Sequence, residues 1–362
     1  RRQTRFGFKS RGLGDVYKRQ VLPHLTAEPT LEVTGYVLSA GASIAAVPVA
    51  LRPALASPGA RARSVRLPAR VVHRLWASGI GLPLAPWRDT DLVHGTNFAA
   101  PPGPRSIVAL HDLTPFAAAP ATRATRSRAR LVERAIASGS HLQVPTDHIR
   151  DRAMAELGAD PGRITVVPYG VDPIPETETD AGRRRIGTDR YVLALGTTTA
   201  RKNVVRLLEA AAGLPADVGV VVMGPAGDAE PAVAAALSDL GRSRTARRLV
   251  DADDAVRADV LRDASVLAYP SLDEGFGFPP LEAMSVGVPV VAGDAGSVPE
   301  VTGGAAILVD PTDTRAITAG LREALEPDRA AVLGERGRRV AARHDWSVTA
   351  DRLTALYRAL AG

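Results

Sequence analysis

The chain contains no cysteine in 362 residues. This excludes a disulfide framework, a zinc ribbon and a thiol nucleophile, and it fits a reducing compartment, so a cytoplasmic location is expected. No run approaches the ~18–20 uninterrupted apolar residues of a membrane-spanning helix, and the first residues carry no signal-peptide pattern. A soluble or membrane-peripheral protein is expected. No G-x-G-x-x-G opens a helix after an apolar strand, which disfavours a dinucleotide-binding oxidoreductase. Lysine is nearly missing: of 45 Lys plus Arg residues, only Lys9, Lys18 and Lys202 are lysines. The formal charge is +6, but the arginines are scattered singly among acids, so no nucleic-acid partner is implied.

The chain is long enough to exceed the ~250–300 residues at which one hydrophobic core stops growing, so two domains are expected. Hydrophobic residues make up 45%, and 33 Gly with 28 Pro stay below the roughly 25–30% of low-complexity sequence, so both domains should be globular. Arg1–Gln20 holds two of the three lysines, no alanine and no period of 2 or 3.6. It looks like a translated adapter, a non-native segment expected to be irregular. The alternative, a phosphate loop at Gly12-Leu13-Gly14, lacks the preceding strand that would support it.

From Val21 onward, short apolar runs alternate with Ala/Leu/Arg-rich stretches, the pattern of βαβ units and parallel sheets. The first series places strands at Leu31–Leu38, Asp91–His94, Ile107–Leu110, His141–Val144 and Ile164–Val167, with helices at Thr122–Ser138 and Thr146–Leu157. The second places strands at Tyr191–Leu195, Val218–Met223, Arg248–Asp251, Val266–Tyr269, Val288–Val291 and Ala306–Val309. Its helices fall at Asn203–Ala212, Ala229–Leu240, Ala255–Arg262, Pro280–Ser285 and Thr314–Leu325. Asp172–Arg190, rich in proline and acid, has linker composition and separates an N-terminal domain (21–171) from a C-terminal one (191–343). A last helix over Ser347–Leu360, capped by Ser347, is expected to dock across both.

Chemistry concentrates in Ser271–Val291. A buried strand ends at Pro270, and Glu274-Gly275-Phe276-Gly277-Phe278 leads into a helix with Pro279 and Pro280 in its first turn. The glycines let a ligand approach the backbone, and amides at a helix start favour phosphate. Glu274 and Glu282 would repel an anion, so they are better suited to accept hydrogen bonds from neutral hydroxyls of a sugar or ribose. That combination points to a nucleotide sugar. A second loop, Thr197–Ala200, leads to Arg201-Lys202-Asn203, with Asn203 as helix cap. A lone lysine at a strand-loop-helix junction suits a phosphate, although a solvated helix start has the same composition. Asp251 and Asp253 form a D-x-D pair, which caps a helix more readily than it binds metal. His94 either lines the acceptor side or is simply a hydrogen-bonded histidine. Arg123, Arg126, Arg130 and Arg134 make a basic helical stripe, either a solvated face or a peripheral membrane contact. Phe276 and Phe278 suit either core or pocket.

The Glu-x7-Glu string EGFGFPPLE, the loop GTTTARKN, the segment VVPYGVD and the stretch GSVPEV together resemble glycosyltransferase family 4 from about Val21 to the end of the chain. DLVHGTNFAAPP and ALHDLTPF are similar to its bacterial mannosyltransferase-like branch. The resemblance implies an α/β GT-B fold, two Rossmann-like domains whose parallel sheets face a central cleft. It implies that Lys202, with Arg201, binds the donor diphosphate, beside Thr197, where some relatives carry a basic residue. Glu282 would hold the ribose, Glu274 the transferred sugar, and the amides of Gly275, Phe276, Gly277 and Phe278 sugar and phosphate. His111 matches the family's active-site histidine. The implied reaction moves a hexose, mannose from GDP-mannose, to a glycan or lipid-linked acceptor hydroxyl of cell-envelope polysaccharide, with retention at the anomeric carbon. In a front-face mechanism the leaving diphosphate itself takes the acceptor proton, so no metal or other cofactor is required. Relatives open with a strand and glycine-rich loop where Arg1–Gln20 stands, so a donor-binding remnant, or a GT-B epimerase or phosphorylase, remains an alternative.

Overall fold

The apolar runs become parallel strands. A computed structural model describes residues 13–38, 60–65, 68–80, 90–116 and 122–362. The chain divides into two units, Gly12–Gly170 with Asp345–Gly362, and Val171–His344.

The N-terminal unit runs α1 (Leu13–Ala27), β1 (Val33–Leu38), β2 (Ala60–Val65), α2 (Ala69–Ala77), β3 (Val93–Gly95), β4 (Ser106–Ala109), α3 (Arg123–Ala137), β5 (His141–Val144), α4 (Asp147–Leu157) and β6 (Ile164–Val166). Among the described residues β1 pairs with β2, and β3-β4-β5-β6 form a parallel sheet in chain order. Val108, Leu110, Leu142 and Val144 bury one face of that sheet against Val132 of α3 and Ile149 of α4. Thr122 and Thr146 cap these two helices through their side chains.

The C-terminal unit runs α5 (Ala181–Ile186), β7 (Arg190–Leu195), α6 (Val204–Ala211), β8 (Val218–Met223), α7 (Glu230–Leu240), β9 (Ala246–Leu249), α8 (Asp254–Arg262), β10 (Val266–Tyr269), α9 (Phe278–Ser285), β11 (Val290–Gly293), α10 (Val298–Thr302), β12 (Ile307–Val309), α11 (Thr314–Leu325) and α12 (Pro327–Ala341). Its six strands are all parallel in the order β12-β11-β10-β7-β8-β9. Val192, Ala194, Val220, Val222, Val266, Ala268 and Val291 pack one sheet face against Leu207, Leu237, Ile317 and Leu321. Helices on both faces explain why β8 and β10 read as unbroken apolar runs. The final helix, α13 (Trp346–Ala361), belongs to the N-terminal unit.

Four expectations need correction. The segment Arg1–Gln20 is not irregular throughout: residues from Leu13 onward enter α1, whose Val21 and Leu25 are buried one turn apart, while residues 1–12 lie outside the described residues. The linker is shorter than its composition suggests. Within it α5 folds onto α8, with the Gly182 amide donating to Asp263 at 2.7 Å and Arg185 paired to Asp259 at 3.0 Å. Ser347 does not cap the last helix. Asp345 does, accepting from the Ser347 amide at 2.7 Å, because its carboxylate reaches two residues on. Asn203 borders α6 in a left-handed conformation, φ 56°, without a side-chain cap bond. Its amide instead donates to the carbonyls of Pro270 and Pro311 at 3.1 and 2.7 Å.

If α1 docks as described, Leu25→Ala leaves a cavity in the N-terminal unit and should cost about 2–4 kcal/mol. Urea denaturation followed by tryptophan fluorescence measures this. An unchanged midpoint would show that α1 contributes no core.

Candidate functional site

In chain order β7 is the first strand of the six-stranded sheet and β10 the fourth, and the two lie side by side. From β7 the chain steps outward through β8 and β9, then returns to the other side at β10. Loops leaving adjacent strands in opposite directions open a crevice at their carboxyl ends, where open α/β sheets bind ligands. The loop after β7 carries Thr197, Arg201 and Lys202; the loop after β10 carries Glu274 to Gly277. The sheet therefore brings together residues 72 and 73 positions apart.

The two loops are sewn to one another. The Leu272 amide donates to the Arg201 carbonyl at 2.9 Å, and the Arg201 guanidinium donates to the Asp273 carbonyl. Arg201 Nη1 lies 2.5 Å from Glu274 Oε2, and Lys202 Nζ lies 2.7 Å from Glu274 Oε1. Lys202 also donates to the Tyr269 hydroxyl and sits 4.3 Å from the centre of that ring. Glu274 is only 6% exposed. Burial by itself pushes its carboxyl up, but the Lys202 and Arg201 charges outweigh this and hold it below the ordinary value. Burial lowers the Lys202 ammonium, against the opposing pull of Glu274. Burial, followed by the Glu274 charge, pushes the Tyr269 hydroxyl up, so it remains protonated.

The glutamate loop is held from behind by GSVPEV. The Ser297 amide donates to the Glu274 carbonyl and its hydroxyl to that of Gly275, both at 3.1 Å. Gly296, at φ 61°, packs so tightly that a Cβ there would lie 2.5 Å from the Glu274 nitrogen. Gly277, at φ 110°, makes the turn into α9. Phe276 is buried against Phe278 and His344, so its ring is core; Phe278 is half-buried. Glu282 lies in α9 and pairs with Arg257 of α8, and its charge also acts on Lys202. Thr197 is half-buried, beside a network in which buried Thr198 donates to Glu230, and Glu230 accepts from Arg248 at 2.9 Å. Tyr269, Arg257 and Ser297 were not singled out from the sequence. Tyr269 had one signal, a hydroxyl-bearing ring closing an apolar strand just before the site loop.

The remaining candidates resolve differently. Asp253 caps α8, accepting from the Val256 amide at 2.8 Å. In the N-terminal unit, His111 follows β4 and is 1% exposed. Its Nε2 donates to the Thr96 carbonyl at 2.9 Å and its Nδ1 accepts from the Tyr169 hydroxyl at 2.5 Å. Burial pushes the Tyr169 hydroxyl up, which keeps it a donor. Phe98 packs edge-on against His111, and Trp346 stacks on Tyr169. Half-buried His94 is bonded to the Tyr357 hydroxyl of α13 at 2.7 Å. Arg126, Arg130 and Arg134 are exposed along α3; the Arg123 side chain is outside the described residues.

The model of "Glycosyltransferase Family 4" matches residues 32–174, and that of "Glycosyl transferases group 1" matches residues 176–340. The chain belongs to glycosyltransferase family 4. This family 4 chain is 29% identical over 252 residues to O-antigen chain mannosyltransferase B of Escherichia coli, covering 66% of each. It is 35% identical over 229 residues to D-inositol 3-phosphate glycosyltransferase of Thermobispora bispora, covering 57% of this chain and 53% of that protein. An MMP alpha-(1->4)-mannosyltransferase of Mycolicibacterium hassiacum is 33% identical over 56% of this chain and 50% of its own length. The chain thus spans about half to two thirds of these relatives. Among solved structures, sucrose-phosphate synthase from Thermosynechococcus elongatus superposes with a TM-score of 0.73 at 19% identity, over 96% of this chain and 93% of that one. Anabaena HepE, crystallised with UDP and glucose, gives 0.69 at 16% identity over 91% and 100%. The fold is GT-B. No helix among the described residues is long and apolar enough to cross a membrane.

Burial pushes His94 down to about 3, with the His111 charge adding to it. In the unfolded chain this imidazole takes a proton near its ordinary value of 6.5, which the folded state refuses. The stability it confers is therefore complete above pH 6.5 and is lost as the pH falls toward 3. His94→Gln should remove about 2 kcal/mol of the destabilisation of the N-terminal unit between pH 7 and pH 5. Urea midpoints at the two pH values check this; parallel losses in both proteins would contradict it.

Proposed function

We propose that this family 4 chain transfers a hexose from a nucleotide-diphosphate sugar to an acceptor hydroxyl with retention of anomeric configuration. The observation that carries the reading is the convergence of Arg201, Lys202 and Glu274 at the crevice between β7 and β10. Two cations suit a diphosphate, and a carboxylate beside them suits the hydroxyls of the sugar it carries. Arg201 and Lys202 neutralise the charge that develops on the leaving diphosphate, assisted by the start of α9 at Phe278. Glu274 orients the sugar, Glu282 accepts from the ribose, and Thr197 and the Gly275–Phe278 backbone line the donor. An oxygen of the departing diphosphate takes the acceptor proton on the face it leaves, which gives retention without a protein nucleophile or a metal.

Mannose from GDP-mannose is the proposed donor, supported by relatives named as mannosyltransferases. The proposed acceptor is a glycan or lipid-linked sugar of the cell envelope, reached from the cytoplasm, with the arginine stripe on α3 as a peripheral membrane contact. The test is incubation with radiolabelled GDP-mannose and UDP-glucose and a panel of glycan acceptors, with the product anomer assigned by NMR. An inverted product, or donor turnover without transfer, would overturn the reading. Lys202→Ala should weaken binding of the productive nucleoside diphosphate by about 10–100-fold, since it removes a charged hydrogen-bond donor. Calorimetric titration measures this, and an unchanged Kd would remove Lys202 from the donor site.

A further inference from the structure

The cations that a donor diphosphate needs are already engaged. Each Glu274 oxygen holds one of them, Lys202 at 2.7 Å and Arg201 at 2.5 Å. The Lys202 side chain is 14% exposed, and it also contacts the hydroxyl and ring of Tyr269. Nor is Glu274 free to swing away as a whole: Ser297 bonds its carbonyl, Gly296 packs on its nitrogen, and Arg201 bonds the preceding Asp273 carbonyl. A diphosphate approaching these cations therefore competes with an anchored carboxylate.

We infer that Glu274 makes the donor pocket discriminate between an intact nucleotide sugar and the nucleoside diphosphate left after transfer. The inference rests on the proposed donor-site reading. When phosphate oxygens take Arg201 and Lys202, the buried carboxylate loses partners in a place shielded from water, which is costly unless other donors replace them. A nucleotide sugar brings hydroxyl groups that donate to Glu274. A nucleoside diphosphate brings phosphate oxygens, which are acceptors and cannot. The same carboxylate is thus compensated in the donor complex and uncompensated in the product complex. Once the sugar has departed, Glu274 recaptures its two cations and speeds release of the diphosphate. Discrimination arises here from a repulsive element aimed at the wrong ligand.

The experiment is calorimetric titration of the whole chain and of Glu274→Gln with GDP, UDP, GDP-mannose and UDP-glucose. The glutamine is nearly isosteric and carries no charge. The nucleoside diphosphate that binds the unaltered protein should bind Glu274→Gln about tenfold tighter, the size of one charged hydrogen bond released from competition. The corresponding nucleotide sugar should gain less, or lose affinity. Glu274→Asp, which keeps the charge but shortens its reach to the cations, should tighten diphosphate binding to an intermediate degree, and provides the measurement if the glutamine variant does not fold. Diphosphate binding no tighter in either variant, with binding to the unaltered protein intact, overturns the inference and leaves the donor-site reading standing. Equal gains for diphosphate and nucleotide sugar also overturn it. If none of the four compounds binds either protein, the donor-site reading fails as well.

Discussion

Glu274 is removed from water between Arg201 and Lys202, and the carboxyl edge of the C-terminal domain is organised around that pairing. Removing one partner from such a buried pair typically costs about 3–5 kcal/mol, because the other charge is left stranded. The arrangement is stable only if both loops are held in register, and the structure supplies the means. Backbone bonds join Leu272 to Arg201, Asn203 reaches Pro270, and Ser297 grips the residues on either side of the Glu274–Gly275 peptide bond. The left-handed backbone at Asn203 is the local cost of aiming Lys202 at the crevice and starting α6 immediately afterward.

The architecture was legible because parallel strands covered on both faces are spelled as continuous apolar runs, and β8, β10 and α11 fall where such runs and helical periods stand in the sequence. Legibility failed where elements form without those signals. β2 reads Ala-Arg-Ala-Arg-Ser-Val, with charge where a strand usually shows apolar residues. α5 is six residues long with three consecutive arginines, and it is held by contacts to α8 that no local pattern announces. The buried face of α12 is Leu333, Gly334, Gly337 and Ala341; two glycines permit close packing but erase the apolar stripe a helix normally presents.

The site was legible in part for the same reason. Lys202 stood out as a rare residue type at a strand-to-helix junction, and Glu274 and Glu282 through their spacing. Their occupancy by other protein groups was not legible, since Glu274 with Arg201 and Lys202, Glu282 with Arg257, and His111 with Thr96 and Tyr169 are all pairings over long sequence separations. His111 is the sharpest instance. A histidine at a strand end suggests an open imidazole, whereas its ring is enclosed and both nitrogens already serve bonds within the N-terminal domain.

The assignment of α13 to the N-terminal unit has a consequence for the order in which the protein is made. Among the described residues the C-terminal unit is one stretch, Val171–His344, and holds Arg201, Lys202 and Glu274. The N-terminal domain is translated first yet finishes last. Tyr357 for His94, Trp346 for Tyr169 and Arg358 for Glu28 are all on the final helix. During synthesis the C-terminal unit can therefore close around its buried carboxylate before α13, which the preceding unit needs, has emerged.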